Sequence, residues 1–166
     1  MPEKKTVERA RKDAKEGKAP STQAGEFVRE EMDHIREGKH GARSAKQAIA
    51  IGLSKARRSG VKLRAPKKGK TSARTRNQAA RDYARGQKSP NRKASPTRSR
   101  AVRTALKRED RRAASHLALS RQAHTSARGR GAANRRRAAQ KAVQTKGTAG
   151  LKSAARKAAR TRARGR

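Results

Sequence analysis

The sequence predicts an all-α protein: a short helical hairpin followed by a long, largely disordered, conditionally helical basic tail, with no single large core. Three observations lead there. Nine of the eighteen Val, Ile, Leu, Met, Phe and Tyr residues fall within residues 24–63. Leu, Ile, Val and Phe together number only 15 of 166, and 33 of the remaining apolar residues are alanine. That share lies far below the roughly 20% under which disorder is expected at high net charge. The formal charge is +37, so the chain repels itself while each ordered residue costs about 1–2 kcal/mol of backbone entropy.

Residues 1–20 are charged and end in Ala-Pro-Ser-Thr, which reads as a frayed helix or disorder. The hairpin spans 21–63. Ser21 or Thr22 can cap its first helix, in which Ala24, Phe27 or Val28, Met32 and Ile35 recur at three- and four-residue spacing. Glu26, Glu30, Glu31 and Asp33 suit the positive helix N-terminus, and Gly38 supplies a left-handed stop. After the turn Gly-Lys-His-Gly-Ala-Arg, Ser44 and Gln47 have capping-box spacing. The second helix is expected from about Ala45 to Arg58, with Ala45, Ala48, Ile49, Gly52 and Ala56 on one face and Gly60 beyond its end. Ala48 and Gly52 would let the two backbones approach closely, and Val61 and Leu63 could fold back over them. The hairpin buries too little to stand easily alone, so a protein partner, self-association through residues 22–60, or charge neutralisation by a polyanion is expected to support it.

Residues 64–98 read as a basic linker with a candidate helix at 72–85, whose only large side chain is Tyr83. Two S-P-x-R units follow, at Ser89-Pro90-Asn91-Arg92 and Ser95-Pro96-Thr97-Arg98. Proline after serine favours a compact turn that brings an arginine close to the backbone. Residues 99–166 form the tail. One helix from about Ser99 to Ala127 would place Val102, Leu106, Ala113 and Leu117 on one stripe. Beyond it, alanine pairs alternate with basic clusters. Adjacent like charges such as Arg135-Arg136-Arg137 are expected to hold this part as coil until phosphates neutralise it.

Charge separates the functions. Residues 1–37 carry nine of the twelve acids against nine Lys/Arg, whereas residues 38–166 carry forty Lys/Arg and three acids. So strong a cation density is the footprint of nucleic-acid binding. A lipid surface fits less well, because membrane-bound helices need Trp, Phe or Leu on one face and these offer alanine. Counter-ion displacement without base reading points to a histone-like, largely sequence-nonspecific DNA-binding protein. It would act by neutralising phosphate charge and compacting DNA at the cytoplasmic nucleoid. The contact residues expected are Arg57, Arg58, Lys67, Lys68, Arg92, Arg98, Arg111, Arg112, Arg135, Arg136, Arg137, Arg156, Lys157, Arg160, Arg162, Arg164 and Arg166. The alternatives are an RNA-binding or ribosome-associated protein, and a protein-docking adaptor with an accessory cationic tail.

Other chemistry finds little support. The chain has no cysteine, which excludes disulfides, thiolate metal sites and thiol nucleophiles. It shows no phosphate-binding loop and no nucleophile with an orienting base, so no enzyme activity and no cofactor are expected. His34 and Glu37 stand one helical turn apart, with Glu30, Glu31 and Asp33 close by and His40 following. Two histidines without a fixed third ligand read as a polar helix face, and no metal site is expected. No apolar run approaches the roughly 18 residues of a membrane span, and the first residues lack the apolar stretch of a signal peptide.

The stretch Lys39-His40-Gly41, then Ser44, Gln47-Ala48-Ile49-Ala50-Ile51-Gly52-Leu53-Ser54, Ala56-Arg57 and Gly60 resembles the core of a family of small bacterial and phage-borne proteins of unknown function. The resemblance covers residues 21–63, about a quarter of the chain. It implies a bacterial origin and a compact helical motif, and no chemistry. The tail resembles eukaryotic linker-histone tails in composition, and its S-P-x-R units resemble their S/T-P-basic units, which are associated with A·T-rich minor grooves.

Overall fold

Alanine and glycine set how closely the front helices meet. The computed structural model describes residues 2–90 and 95–164, with the side chain of Arg164 left out. It contains α1 (Lys4–Lys15), α2 (Pro20–Arg36), α3 (Ala45–Arg58), α4 (Ala73–Lys88), α5 (Pro96–Lys107), a 3-10 turn at Arg111–Ala114, α6 (His116–Gly129) and α7 (Gly131–Arg164). No strand occurs among the described residues. The chain divides into two units, residues 1–120 and 121–166, with the boundary inside α6.

In the front unit, α2 packs against both α1 and α3, and α4 packs on α3. Two apolar clusters fill the spaces. One joins Met32, Ile35, Ala42 and Ala48 to Ala113 and Ala114 of the 3-10 turn. The other joins Ala10 of α1 to Ala24, Phe27, Ala56 and Val61. A Cβ on Gly52 would stand 2.7 Å from the Val28 Cα, so α2 and α3 touch backbone to backbone there. At Gly86 a Cβ would run into the Arg57 carbonyl, which brings α4 equally close to α3. Small residues thus give contact area where large apolar residues are scarce.

Local signals fix the ends. Ser44 accepts from the Gln47 N–H at 3.2 Å, and the Gln47 side chain accepts from the Arg43 N–H at 2.9 Å. Gly38 and Gly60 follow α2 and α3 with φ of 78° and 92°, conformations that a side chain resists. Ser72 caps α4 by accepting from Thr75 N–H. The chain before α5 uses Ser95-Pro96 as a helix start, with Pro96 in the first turn, where its missing N–H removes nothing. That S-P-x-R unit therefore opens a helix instead of forming an isolated turn. In the first unit, Asn91 and Arg92 lie outside the described residues.

Two expectations are corrected. The core is larger than a hairpin, because α1 and the 3-10 turn complete it: Ala10 is buried under α1, and Ala113 and Ala114 under the turn. The tail is helical in α5, α6 and α7, and not a largely disordered segment. The repulsion that argued for coil was overstated. Neighbours such as Arg135, Arg136 and Arg137 point in different directions around a helix, and the like charges that do face one another, such as Lys152, Arg156 and Arg160, cost only a few tenths of a kcal/mol per pair. Alanine and arginine propensity then prevails, and each arm of α7, 131–146 and 148–164 on either side of the non-helical Gly147, exceeds the roughly 12–15 residues at which nucleation stops limiting a helix. The single helix expected over 99–127 is interrupted: Asp110 accepts from Arg112 N–H at 2.8 Å to start the 3-10 turn, and Ser115 accepts from Ala118 N–H to start α6.

Candidate functional site

The front unit turns several of its acids inward. On α2, Glu30 and Glu31 are 5% and 0% exposed, both facing Lys55 of α3 at 3.2 and 2.6 Å. The second Glu30 oxygen accepts from the Glu3 N–H at 3.1 Å, tying the start of the chain to α2. Glu3 in turn receives His34 Nε2 at 2.8 Å and Lys39 Nζ at 3.3 Å. Those hydrogen bonds, His34 first, hold the Glu3 carboxyl below the usual carboxylate range. His40 Nε2 lies 3.2 Å from the remaining Glu31 oxygen. One donor atom each from Glu31, His34 and His40 therefore lie within 4.8 Å of one another.

A second polar contact joins α3 to α4. Ser54 donates to Asp82 at 2.6 Å, and Gln78 donates to the other Asp82 oxygen at 3.2 Å. Beside them an open groove of about 500 Å³ runs between the two helices, walled by Ile49, Leu53 and Ala79, with Lys46 and Arg74 among its lining residues. Asp13 accepts from Lys18 at 2.7 Å, and that bond, then Glu16, raises the lysine above its ordinary range.

The expected contact residues divide accordingly. Arg57 is 7% exposed and donates from Nε to the Leu63 carbonyl at 3.1 Å. Burial pushes its guanidinium below the ordinary arginine range, against the pull of Asp82, and it holds the return segment 59–63 in place. Arg58 is half-buried, with Nε 3.9 Å from Asp82. Arg57 thus belongs to the interior, whereas the Arg58 side chain stays 40% exposed. Lys67, Lys68, Arg98, Arg111 and Arg112 are exposed; Arg112 lies 3.5 Å from Asp110.

The back unit has no such internal pairing. All twelve acids precede residue 121, and residues 121–166 contain fifteen Lys/Arg. None of the described side chains of this unit is buried. Arg135, Arg136 and Arg137 are exposed on the first arm of α7, and Arg156, Lys157, Arg160 and Arg162 on the second. On that second arm Lys152, Arg156, Lys157 and Arg160 line one face together with Ser153 and Thr161, a basic strip of about 12 Å at 1.5 Å per residue. The backbone of Arg164 continues the helix, whereas Arg166 lies outside the described residues. Gly147, with φ 62° and ψ 176°, separates the two arms.

The buried carboxylates escaped the sequence reading, which placed Glu30 and Glu31 as surface complements to the helix dipole. A signal was present: Phe27, Glu31 and Ile35 follow at four-residue spacing on the apolar stripe itself. No family model matches this chain, and no curated protein or solved structure is detectably similar to it.

Proposed function

We propose that the chain is a histone-like, largely sequence-nonspecific DNA-binding protein of the nucleoid that neutralises and compacts its partner. The observation that carries this reading is the back unit: fifteen Lys/Arg and no acid in residues 121–166, with every described side chain outside the interior. Cations on a helix face, without internal counter-charges, are available to phosphates, and each phosphate neutralised releases condensed counter-ions. The basic strip at Lys152, Arg156, Lys157 and Arg160 is the favoured contact, and Lys67, Lys68, Arg98, Arg111 and the triplet at 135–137 add to it. The near absence of aromatics, with one Phe, one Tyr and no Trp, disfavours readers that stack on unpaired bases. Phe27 is 1% exposed in the core. No helix among the described residues is long and apolar enough to cross a membrane.

A salt titration with scrambled duplexes tests the reading. About six to ten phosphate contacts would lower affinity by roughly three to five decades between 50 and 200 mM salt, with little preference among sequences. A flat titration would overturn it, and tighter binding to structured RNA than to duplex DNA would transfer the activity to RNA.

A further inference from the structure

The charge network inside residues 1–120 contains a contact that hydrogen bonding alone leaves unbalanced. Glu31 is fully buried, and neither of its carboxylate oxygens accepts a well-aligned hydrogen bond. His40 Nδ1 is 3.0 Å from the Gly41 carbonyl oxygen. A carbonyl only accepts, so Nδ1 carries the hydrogen. In neutral His40 the Nε2 lone pair then points at Glu31 Oε1 from 3.2 Å, lone pair against lone pair. That approach is attractive only when a proton or a metal cation sits between the two atoms.

We infer that Glu31, His34 and His40 bind one divalent transition-metal ion of the zinc class. Glu31 and His34 are one turn apart on α2, and so share a helix face. Gly38, at φ 78°, lets the chain double back, with the Lys39 N–H donating to the His34 carbonyl at 2.9 Å, and this return brings His40 to the same place. Each histidine already gives one ring N–H to an oxygen: His34 to Glu3 Oε1 at 2.8 Å, and His40 to the Gly41 carbonyl. Such bonds fix the tautomer and orient the ring in metal sites, and they leave the second nitrogen of each ring with a bare lone pair. Lys55 engages the other Glu31 oxygen at 2.6 Å, so Oε1 remains for the metal. Glu3 and Glu30 add negative charge nearby, against Lys39 and Lys55. Two imidazoles and one carboxylate make a set that zinc accepts, leaving a fourth position for water.

The ion would tie α2 to the turn at residues 38–42. That turn also receives the later chain, as Gly41 N–H donates to the Leu106 carbonyl and Ala42 N–H to the Asp110 carbonyl. A side chain on Gly41 would strike the Glu109 carbonyl, so the histidine precedes a residue that the packing requires to be glycine.

The test uses the full, untagged chain, stripped with chelator and titrated with zinc chloride by calorimetry, with histidine ring signals followed by NMR. One equivalent should bind, moving the His34 and His40 signals while His116 and His124 stay still. His40→Gln should weaken zinc by more than the roughly 10–100-fold typical of losing an orienting partner, and Glu3→Gln by about that amount. The double change His116→Asn, His124→Asn should have no effect. Absence of saturable binding, movement of the His116 or His124 signals instead, or undiminished affinity in His40→Gln would each overturn the assignment. If His40→Gln does not fold, the ring signals of the unaltered chain decide.

Discussion

Residues 1–120 and residues 121–166 are built from much the same alphabet of alanine, lysine and arginine, yet the residues serve opposite ends. In the front unit alanine is a spacer: Ala24, Ala48, Ala56 and Ala114 are each 0% exposed and let helices meet closely. In the back unit no described alanine is buried, and alanine contributes helix propensity. Lysine differs in the same way, since Lys55 bridges two buried carboxylates whereas Lys152 and Lys157 face solvent without an acid in their unit. What separates the two is where the acids lie. Twelve carboxylates in the front unit turn part of its charge inward, and none in the back unit leaves the charge outward.

The largest effect expected from breaking this contrast is on DNA affinity. Removing residues 121–166 should weaken binding at 0.15 M salt by about three decades, and Lys152→Gln, Arg156→Gln, Lys157→Gln and Arg160→Gln together should flatten the salt slope by about 3–4 units. Filter binding across a salt series measures both; a truncated chain with unchanged affinity would place binding in the front unit.

Next comes the buried pair. Lys55→Met strands Glu30 and Glu31 without their cation and should cost about 3 kcal/mol in urea unfolding, whereas Lys157→Met should leave stability within about 0.5 kcal/mol. Equal effects of the two changes would erase the distinction between inward and outward charge.

The same alanine change made twice sharpens the comparison further. Ala48→Leu overfills the α2–α3 contact and should destabilise by about 1–3 kcal/mol; Ala158→Leu, on an exposed face, should stay within about 0.5 kcal/mol. Thermal melts of the two variants side by side give the answer. Smallest is the cap: Ser44→Ala removes the acceptor for Gln47 N–H and should cost about 1 kcal/mol, a loss that Ser44→Asp would largely restore.

The parts legible in the sequence were those specified locally. Ser44 and Gln47 announced the start of α3, Gly38 and Gly60 its neighbouring stops, and Gly52 the close helix contact, because caps and left-handed glycines act within a few residues. Docking of α1 was harder to see, since Val7 and Ala10 give a thin apolar stripe. Attachment of the chain near Leu106 and Asp110 to Gly41 and Ala42 runs through backbone hydrogen bonds, which leave no side-chain pattern. Glu31 is hard to read because an acid near the start of a helix suits the dipole even where it interrupts the apolar stripe, as between Phe27 and Ile35. The tail is hard to read because charge counted along the chain overstates repulsion that a helix spreads around its axis, at a few tenths of a kcal/mol per facing pair.

Gly147 has a consequence for reach. A straight helix as long as α7 would lie against a duplex for only part of a turn before the groove curves away beneath it. The glycine, at φ 62° and ψ 176°, breaks α7 into arms of about 24 Å and 25 Å at 1.5 Å per residue, each near 7 base pairs at 3.4 Å per step. Each arm is thus short enough to follow the groove before it winds out of line, and the joint lets the second take a new heading. If the chain grips duplex DNA as proposed, Gly147→Ala would resist the break and hold the duplex along one tangent, whereas the glycine would let the grip turn with the groove.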